Sequence, residues 1–497
     1  MNIDLAALPD DVETLQRLVR SLAAERTSLS QAQAEIERLH LIIKKLQRSQ
    51  FGRRAERLDD DQLQLGLEDL NTDLARVEAG LPLPKPPIHP GPETSGRACR
   101  PISSARTSGP CCGSALHLIG ETTSEMLDHV PARLRIIRIC RPRYGCRSCG
   151  TIHQAPAPER PIAKGLATPA LLAHVLVSKY CDHLPLYRQS QIFARQGVEI
   201  DRSTLANWVG GACWGLEALQ KRLAEHVFAS QKLFADDTPI PVLDPGRLWV
   251  YARDDRPCNG PDPPAAVYLY SPDRKAERPA AHLAGFSGIV QVDGYPGFDR
   301  LSNGGRIQLA GCWAHARRKF YEVQQATGSP IAAEALRRIA ELYAIETAIR
   351  GHAADARQSV RQSRSLPLVT ALKAWLEMQF AQLPPRGTLA DAIRYTLSRW
   401  EVLCCFLNDG RVELDTNTVE RAIRPVTLGR KNHLFAGSDG GADRWATVCS
   451  LITTAKLIDV EPLAYLQNVL ERMSSGHPMS QLDDLLPWNW RPATVLN

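Results

Sequence analysis

The sequence predicts a multidomain α/β protein, and three observations support this fold class. The chain has 497 residues, which is longer than a single hydrophobic core usually stabilises, so three or four domains are expected. Residues 81–110 are rich in Pro, Ser and Gly and separate a helical N-terminal segment from the remainder. In the middle of the chain, short β-rich runs alternate with turn residues before a long helical stretch begins.

The composition excludes several classes of protein. With 44% hydrophobic and 23% charged residues, the chain is not broadly disordered. It has no run of about 18 apolar residues and no basic-then-apolar leader, so we expect no membrane partner and a cytoplasmic location. The net charge of +6 is compatible with a polyanionic partner. Thirteen cysteines, an odd number, favour reduced thiols with one metal site over a disulfide framework.

The first predicted element is a coiled coil over residues 10–50, which would pair copies of the chain into a homo-oligomer. Apolar residues recur every seven positions and are interrupted at Glu25. The alternative is an amphipathic helix that packs on its own protein. The main column of the repeat consists of Leu15, Leu22, Leu29, Ile36 and Ile43.

A linker over residues 51–110 leads to a predicted zinc-ribbon-like unit at 111–160. Four thiolates from two C-x-x-C-G knuckles would hold tetrahedral Zn²⁺. Cys146 and Cys149 form the second knuckle, whereas the first retains only Cys112 before Gly113. The fourth ligand is left open between three other cysteines and water, and the three candidates are Cys111, Cys99 and Cys140.

Residues 165–228 predict a helix-turn-helix unit that binds DNA. One helix ends at Gly197, and Asp201 or Ser203 caps the next. An ordinary helical hairpin is the alternative. The apolar residues expected to pack the two helices are Ile192, Val198, Leu205 and Trp208. The residues nearest the major groove would be Arg202, Ser203, Thr204 and Asn207.

Residues 231–456 predict a catalytic domain with a ribonuclease H-like fold. Three β-rich runs, a helix and the strand GIVQVDGY follow one another, which is the strand order of that fold. In such a sheet Asp236 and Asp293 would be neighbours, and Glu420 would join them after a helical insertion at 322–410. A C-terminal helical segment covers 457–497.

Asp236, Asp293 and Glu420 together predict a two-metal site for phosphoryl transfer. Three carboxylates can hold two Mg²⁺ (or Mn²⁺) ions, because these cations prefer oxygen ligands. Strand alternation sends Asp236 and Asp237 to opposite faces, and we select Asp236 as the ligand. Asp415 is interpreted as a helix cap rather than a ligand.

Two basic clusters would hold the phosphodiester backbone of DNA. The alternative is that some of these residues only solvate a helix face. Trp313 and His315, in the same region, belong either to the core or to the cleft. The residues assigned to DNA binding are Arg317, Arg318, Arg421, Arg424, Arg430 and Lys431.

Several motifs, among them ADDTP, DGYPGF, GCWAHARRKF and the stretch from LDTNTVERAIRP to TTAKL, resemble the IS66 family of bacterial transposases. The resemblance spans nearly the whole chain and implies that Asp236, Asp293 and Glu420 are the catalytic acids. It implies an enzyme that binds terminal inverted repeats, frees a 3′-hydroxyl by cleavage and joins it to target DNA, near the nucleoid and with small accessory proteins of the same element. The family usually has two asparagines where this chain has Thr416 and Asn417.

Two other functions are compatible with the same residues. A decayed or domesticated copy would bind DNA without catalysis, and the incomplete first knuckle favours it. A metal-dependent nuclease or resolvase of the same fold would cleave DNA without joining it.

Overall fold

The computed structural model describes residues 134–145, 152–163, 165–242, 244–433 and 436–491. The predicted coiled coil and linker lie outside the described residues, as do Cys112, Cys146 and Cys149. Within the described ranges, none of the helices combines the length and apolarity needed to cross a bilayer.

The first described element is a small antiparallel hairpin. Strands β1 (Arg143–Gly145) and β2 (Ile152–Gln154) pair with Tyr144 opposite His153. Along the chain, the two strands flank the predicted knuckle at Cys146 and Cys149.

Three helices then precede the sheet: α1 (Pro169–Tyr180), α2 (Leu186–Arg195) and α3 (Arg202–Phe228). The turn after α2 contains Gly197 at a φ of 84°, a left-handed conformation that glycine adopts without a Cβ clash. Asp201 is the N-cap residue of α3.

One packing residue of this region was predicted wrongly. Val198 is 37% exposed, and the buried apolar side chains are those of Phe193, Leu205 and Trp208. Val198 follows the turn glycine directly, where the chain has left the face of α2 that packs inwards. Helix α3 is also longer than the sequence indicated, because it continues as one helix to Phe228.

A mixed five-stranded sheet forms the centre of the structure, in the order β5-β4-β3-β6-β7. Strands β3 to β5 form an antiparallel meander, and β6 and β7 run parallel to β3. The three predicted strands, the helix and the fourth strand are confirmed, while β7 was not predicted. The bounds are β3 (Lys232–Pro241), β4 (Pro245–Arg253), β5 (Ala265–Ser271), α4 (Glu277–His282), β6 (Gly288–Val292) and β7 (Ile307–Ala310).

The rest of the described chain is mainly helical. A π-helical turn at Arg361–Ser365 joins α7 to α8. The helices are α5 (Trp313–Thr327), α6 (Pro330–Ile349), α7 (Ala354–Val360), α8 (Leu366–Gln382), α9 (Thr388–Ser398), α10 (Trp400–Leu403), α11 (Cys405–Asn408), α12 (Asn417–His433), α13 (Asp439–Leu457) and α14 (Pro462–Ser474).

Two hydrophobic cores stabilise this arrangement. The larger core joins the sheet to α1, α3 and the C-terminal helices. The smaller core lies among the helices between Trp313 and Leu407 and reaches the sheet at Ile289 and Ala310. The helical insertion therefore packs on the side of the sheet formed by β6 and β7.

Side chains from α3 and α13 seal the outer edge of β5. Thr454 accepts a hydrogen bond from the Ala266 N–H (3.1 Å) and donates to the Ala266 carbonyl (3.2 Å). Ser450 accepts from the Tyr268 N–H (2.9 Å), and Gln220 donates to the Tyr268 carbonyl (3.0 Å). Backbone groups that a neighbouring strand would otherwise pair are thus satisfied by side chains.

Candidate active site

Two of the three predicted acids occupy adjacent positions on neighbouring parallel strands. The pairing of β3 with β6 ends with Ala235 beside Val292, so Asp236 is the next residue of β3 and Asp293 directly follows the end of β6. Parallel strands lie about 4.8 Å apart, and paired positions point to the same face of a sheet. The register therefore brings the two carboxylates together.

Helix α12 carries Glu420 in its first turn, and hydrogen bonds hold the segment just before this helix against β6. The buried side chain of Gln291 donates to the carbonyls of Glu413 (2.7 Å) and Asp415 (3.1 Å). Thr416 Oγ1 donates to Glu420 Oε1 (2.6 Å), which orients the carboxylate. The segment that precedes the third acid is thus attached to the strand that precedes the second.

The three carboxylates interact electrostatically. Burial raises the pKa of the Asp236 carboxyl well above its ordinary value, and Asp293, Asp237 and Glu420 raise it further. Glu420 is only 5% exposed, and its Oε2 has no hydrogen-bond partner in the part of the chain that the structure describes. A divalent cation would relieve this repulsion, and carboxylate oxygens are the donors that Mg²⁺ and Mn²⁺ prefer, so the residues fit such ions.

Asp237 has a different environment from Asp236. Its buried carboxylate pairs with Arg274 (2.9 Å) and Arg247 (3.1 Å). Two guanidinium groups already compensate its charge, which supports Asp236 as the metal ligand of this pair.

Asp415 lies at the start of α12. Its Oδ1 accepts a hydrogen bond from the backbone N–H of Asn417, the first residue of the helix (3.2 Å). Burial, together with the charges of Glu420 and Glu413, raises the pKa of this carboxyl to about 7. The bond lies at the end of the helix where the sequence predicted a capping role for Asp415, although the residue directly before the helix is Thr416.

A cysteine and a histidine lie beside the third acid. Ligand atoms of Cys312, His315 and Glu420 are all within 4.8 Å of one another. Cys312 is the N-cap residue of α5, and burial raises the pKa of its thiol well above the usual range. Trp313 is fully buried and donates to the Leu403 carbonyl (2.8 Å), so it belongs to the core, whereas His315 lies beside Glu420.

The predicted DNA-contacting residues of the catalytic domain divide into two groups. Arg421, Arg424 and Lys431 are exposed on α12. The side chains of Arg317, Arg318 and Arg430 are buried. Arg430 donates to the Pro239 carbonyl at the end of β3, and the pKa of Arg318 is lowered by burial, an effect that nearby Glu420 opposes.

In the predicted helix-turn-helix, the four residues assigned to the major groove lie near the start of α3. The side chains of Arg202, Ser203 and Asn207 are exposed, and that of Thr204 is partly buried. Cys140, one of the candidates for the fourth zinc ligand, lies within the described residues and is exposed.

Sequence reasoning missed several residues that position the site. Gln291 sits in an apolar strand, where a lone amide gave no indication that it would bond the backbone of residues 413–415. Arg357 and Arg361, both in the insertion, donate to the carbonyls of Gly410 and Val412, just before that segment. Strand β7 has only four residues, too few for a clear alternating pattern.

Comparisons with protein families match most of the chain. The model described as the transposase IS66 family covers residues 164–444, and the IS66 C-terminal element covers 450–488. A zinc-finger binding domain of transposase IS66 matches residues 109–150. The model described as transposase C of IS166 homeodomain matches residues 38–101.

Similar proteins occur in Sinorhizobium fredii (strain NBRC 101917 / NGR234). The uncharacterized protein y4qI is 40% identical over the whole of both chains. The uncharacterized protein y4jD is 42% identical over all of this chain and 99% of its own length. The uncharacterized protein y4hP is 40% identical over 92% of this chain and 89% of its own.

Proposed function

This chain belongs to the IS66 family of transposases, and from that premise we propose that it cleaves the ends of its insertion element and joins them to target DNA. The observation that carries the proposal is the meeting of Asp236, Asp293 and Glu420 from two parallel strands and one helix. We assign the core to the ribonuclease H-like fold, a proposal that the strand order β5-β4-β3-β6-β7 supports.

We further propose that Asp236, Asp293 and Glu420 hold two Mg²⁺ or Mn²⁺ ions. Bound cations would supply Lewis-acid activation and neutralise charge on the phosphate during in-line displacement. The protein contributes fixed oxygen ligands: Thr416 and Gln291 hold Glu420 and its helix in place, and Arg318 supplies positive charge nearby. Prior orientation of these groups lowers the cost of assembling the reacting atoms.

DNA recognition is assigned to three parts of the chain. The start of α3 would read the terminal repeats through Arg202 and Asn207, with Ser203 and Thr204 beside them. The exposed Arg421, Arg424 and Lys431 would hold phosphates near the acids. Residues 10–50 would pair two copies so that both element ends meet, with accessory proteins of the element assisting near the nucleoid. The domain boundaries at 165–228 and 231–456 belong to the same proposal.

A strand-transfer assay tests the enzymatic proposal. The full chain is incubated with a duplex that carries the terminal repeat, with target DNA and Mg²⁺, and the products are separated on a denaturing gel. We expect nicked and joined products from the wild type, and neither from Asp236→Asn, Asp293→Asn or Glu420→Gln. Glu277→Gln removes an exposed carboxylate of α4 and should leave both products unchanged.

The same gel separates the alternatives. Cleavage without joining would replace the transposase proposal with a nuclease or resolvase. DNA binding without either product would identify a decayed or domesticated copy. Full activity in the three acid variants would refute the assigned site.

The zinc ribbon has a separate test. We propose that Cys112, Cys146 and Cys149 bind one Zn²⁺, in keeping with the zinc-finger match over 109–150. Metal analysis of the full chain should show that Cys146→Ser together with Cys149→Ser removes one zinc per chain. Unchanged zinc content would refute the ribbon.

A further inference from the structure

Three side chains of different chemistry converge at the N-terminus of α5. Cys312 caps this helix, and His315 follows three residues later, so both face the same end of the helix. Glu420 reaches the same point from the first turn of α12. One ligand atom from each residue lies within 4.8 Å of the other two.

Hydrogen bonds orient two of these groups. Cys312 Sγ accepts from the Thr416 N–H (3.4 Å), and Thr416 Oγ1 donates to Glu420 Oε1 (2.6 Å). Glu420 Oε2 is buried and has no hydrogen-bond partner in the described parts of the chain. Leaving such an oxygen unsatisfied is costly, so a positively charged ligand would stabilise it.

From this convergence we propose that Cys312, His315 and Glu420 form a binding site for a thiophilic divalent ion of the Zn²⁺ class. Sulfur, imidazole nitrogen and carboxylate oxygen are the donors that Zn²⁺ takes, whereas Mg²⁺ and Mn²⁺ prefer oxygen. A thiolate and a carboxylate together balance the charge of one divalent ion, and the ion itself promotes loss of the thiol proton.

The distances require only a small contraction. In a tetrahedral zinc site the ligand atoms are separated by about 3.3–3.8 Å, given metal–ligand bonds of about 2.0–2.3 Å. Three protein ligands leave a fourth coordination position open. Cys312 also lines a cavity of about 20 Å³ that extends to Asp293, which is enough room for one water molecule.

The site would compete with the proposed magnesium site, because both use Glu420. A soft ion held by Cys312 and His315 would draw this carboxylate away from the geometry that two hard cations need. Zinc would therefore inhibit Mg²⁺-dependent cleavage. This consequence depends on the proposed function, whereas the binding of the ion does not.

Cobalt(II) titration of the full chain tests the site, since thiolate–Co²⁺ coordination gives a characteristic near-ultraviolet absorption. To separate it from the ribbon, the reference protein carries Cys146→Ser and Cys149→Ser. We expect this reference to bind Co²⁺ with the thiolate absorption, and the further change Cys312→Ser to abolish that absorption. His315→Gln should weaken Co²⁺ binding about tenfold or more while the thiol remains. Circular dichroism checks that each variant is folded.

Absence of the thiolate absorption from a folded reference protein would overturn the proposal, as would its persistence after Cys312→Ser. The cleavage assay is read separately. If strand cleavage and joining fail while the cobalt spectrum is as expected, the transposase proposal fails and the soft-metal site stands; the reverse result rejects only the soft-metal site.

Discussion

Replacing Arg361 with alanine is expected to destabilise the helical insertion by about 3–5 kcal/mol, the usual cost of removing one partner from a buried ion pair. The Arg361 side chain is 0% exposed and donates five hydrogen bonds. Two go to Glu346, at 2.8 and 2.6 Å. The other three go to the carbonyls of Phe406 (2.9 Å), Asp409 (3.0 Å) and Val412 (2.8 Å).

The magnitude follows from what the substitution leaves behind. Glu346 keeps a contact with Arg357 (3.1 Å) but loses its two bonds to Arg361, and three carbonyls lose a donor. Arg337→Ala is the matched control, because Arg337 also pairs with two glutamates but is 57% exposed. Exposed pairs contribute about 0–1 kcal/mol, so the control should be nearly neutral.

Hydrogen exchange measured by mass spectrometry on the full chain suits this comparison, because a multidomain protein need not unfold in two states. A loss of 3–5 kcal/mol corresponds to roughly two to three and a half orders of magnitude in the opening equilibrium. We expect that acceleration for amides in residues 405–413 of Arg361→Ala. If exchange there matches that of Arg337→Ala, the buried network does not stabilise the insertion as argued.

Three further predictions concern the site and DNA binding. The ordinary pKa of the Asp415 carboxyl is 3.8 and its pKa in the folded protein is about 7. Ionisation of this group therefore lowers the free energy of unfolding: the loss is absent below pH 3.8, grows between pH 3.8 and 7, and is complete above pH 7. The melting temperature of Asp415→Asn, measured with chelator, should therefore rise relative to wild type between pH 4 and 7; a constant difference would contradict the raised pKa. Gln291→Leu should lower the free energy of unfolding by about 1–3 kcal/mol and speed amide exchange over residues 413–420, since it removes the bonds to two carbonyls. Unchanged exchange would show that the Gln291 amide does not hold the start of α12. In DNA-binding titrations, Arg202→Ala should reduce the slope of log affinity against log salt concentration by about 1 if the side chain contacts a phosphate. Asn207→Ala should weaken the binding free energy by about 1–3 kcal/mol for the cognate repeat alone. If both variants bind DNA as the wild type does, the start of α3 is excluded as the surface that recognises the repeat.

Local pattern was sufficient to predict strands β3 to β6 and the short helix α4, but not β7. Short β-rich runs between turn residues mark β3 to β6, and Asp293 could be assigned to the end of its strand because an apolar run stops there. The parallel register of β3 with β6, which sets Asp236 level with Asp293, is a long-range property that no local window contains.

Buried polar residues could not be recognised from the sequence. Arg361, Arg430 and Gln291 carry polar side chains, and only the tertiary structure shows that each bonds backbone carbonyls in the interior. The prediction for Val198 was wrong in the opposite direction, because this apolar residue beside a turn glycine was expected to pack but is exposed. Side-chain type predicts burial on average, and these positions depart from that average.

The way Thr454, Ser450 and Gln220 cover β5 limits how copies of this protein can join. An exposed strand edge is a common route for proteins to add a strand from another chain or to aggregate into fibres. Here, an incoming strand would first have to displace two helices and break the hydrogen bonds to Ala266 and Tyr268. Copies of the protein therefore do not associate by adding a strand at this edge. The covering helices block such growth of the sheet, although β5 itself contains no proline or charged residue.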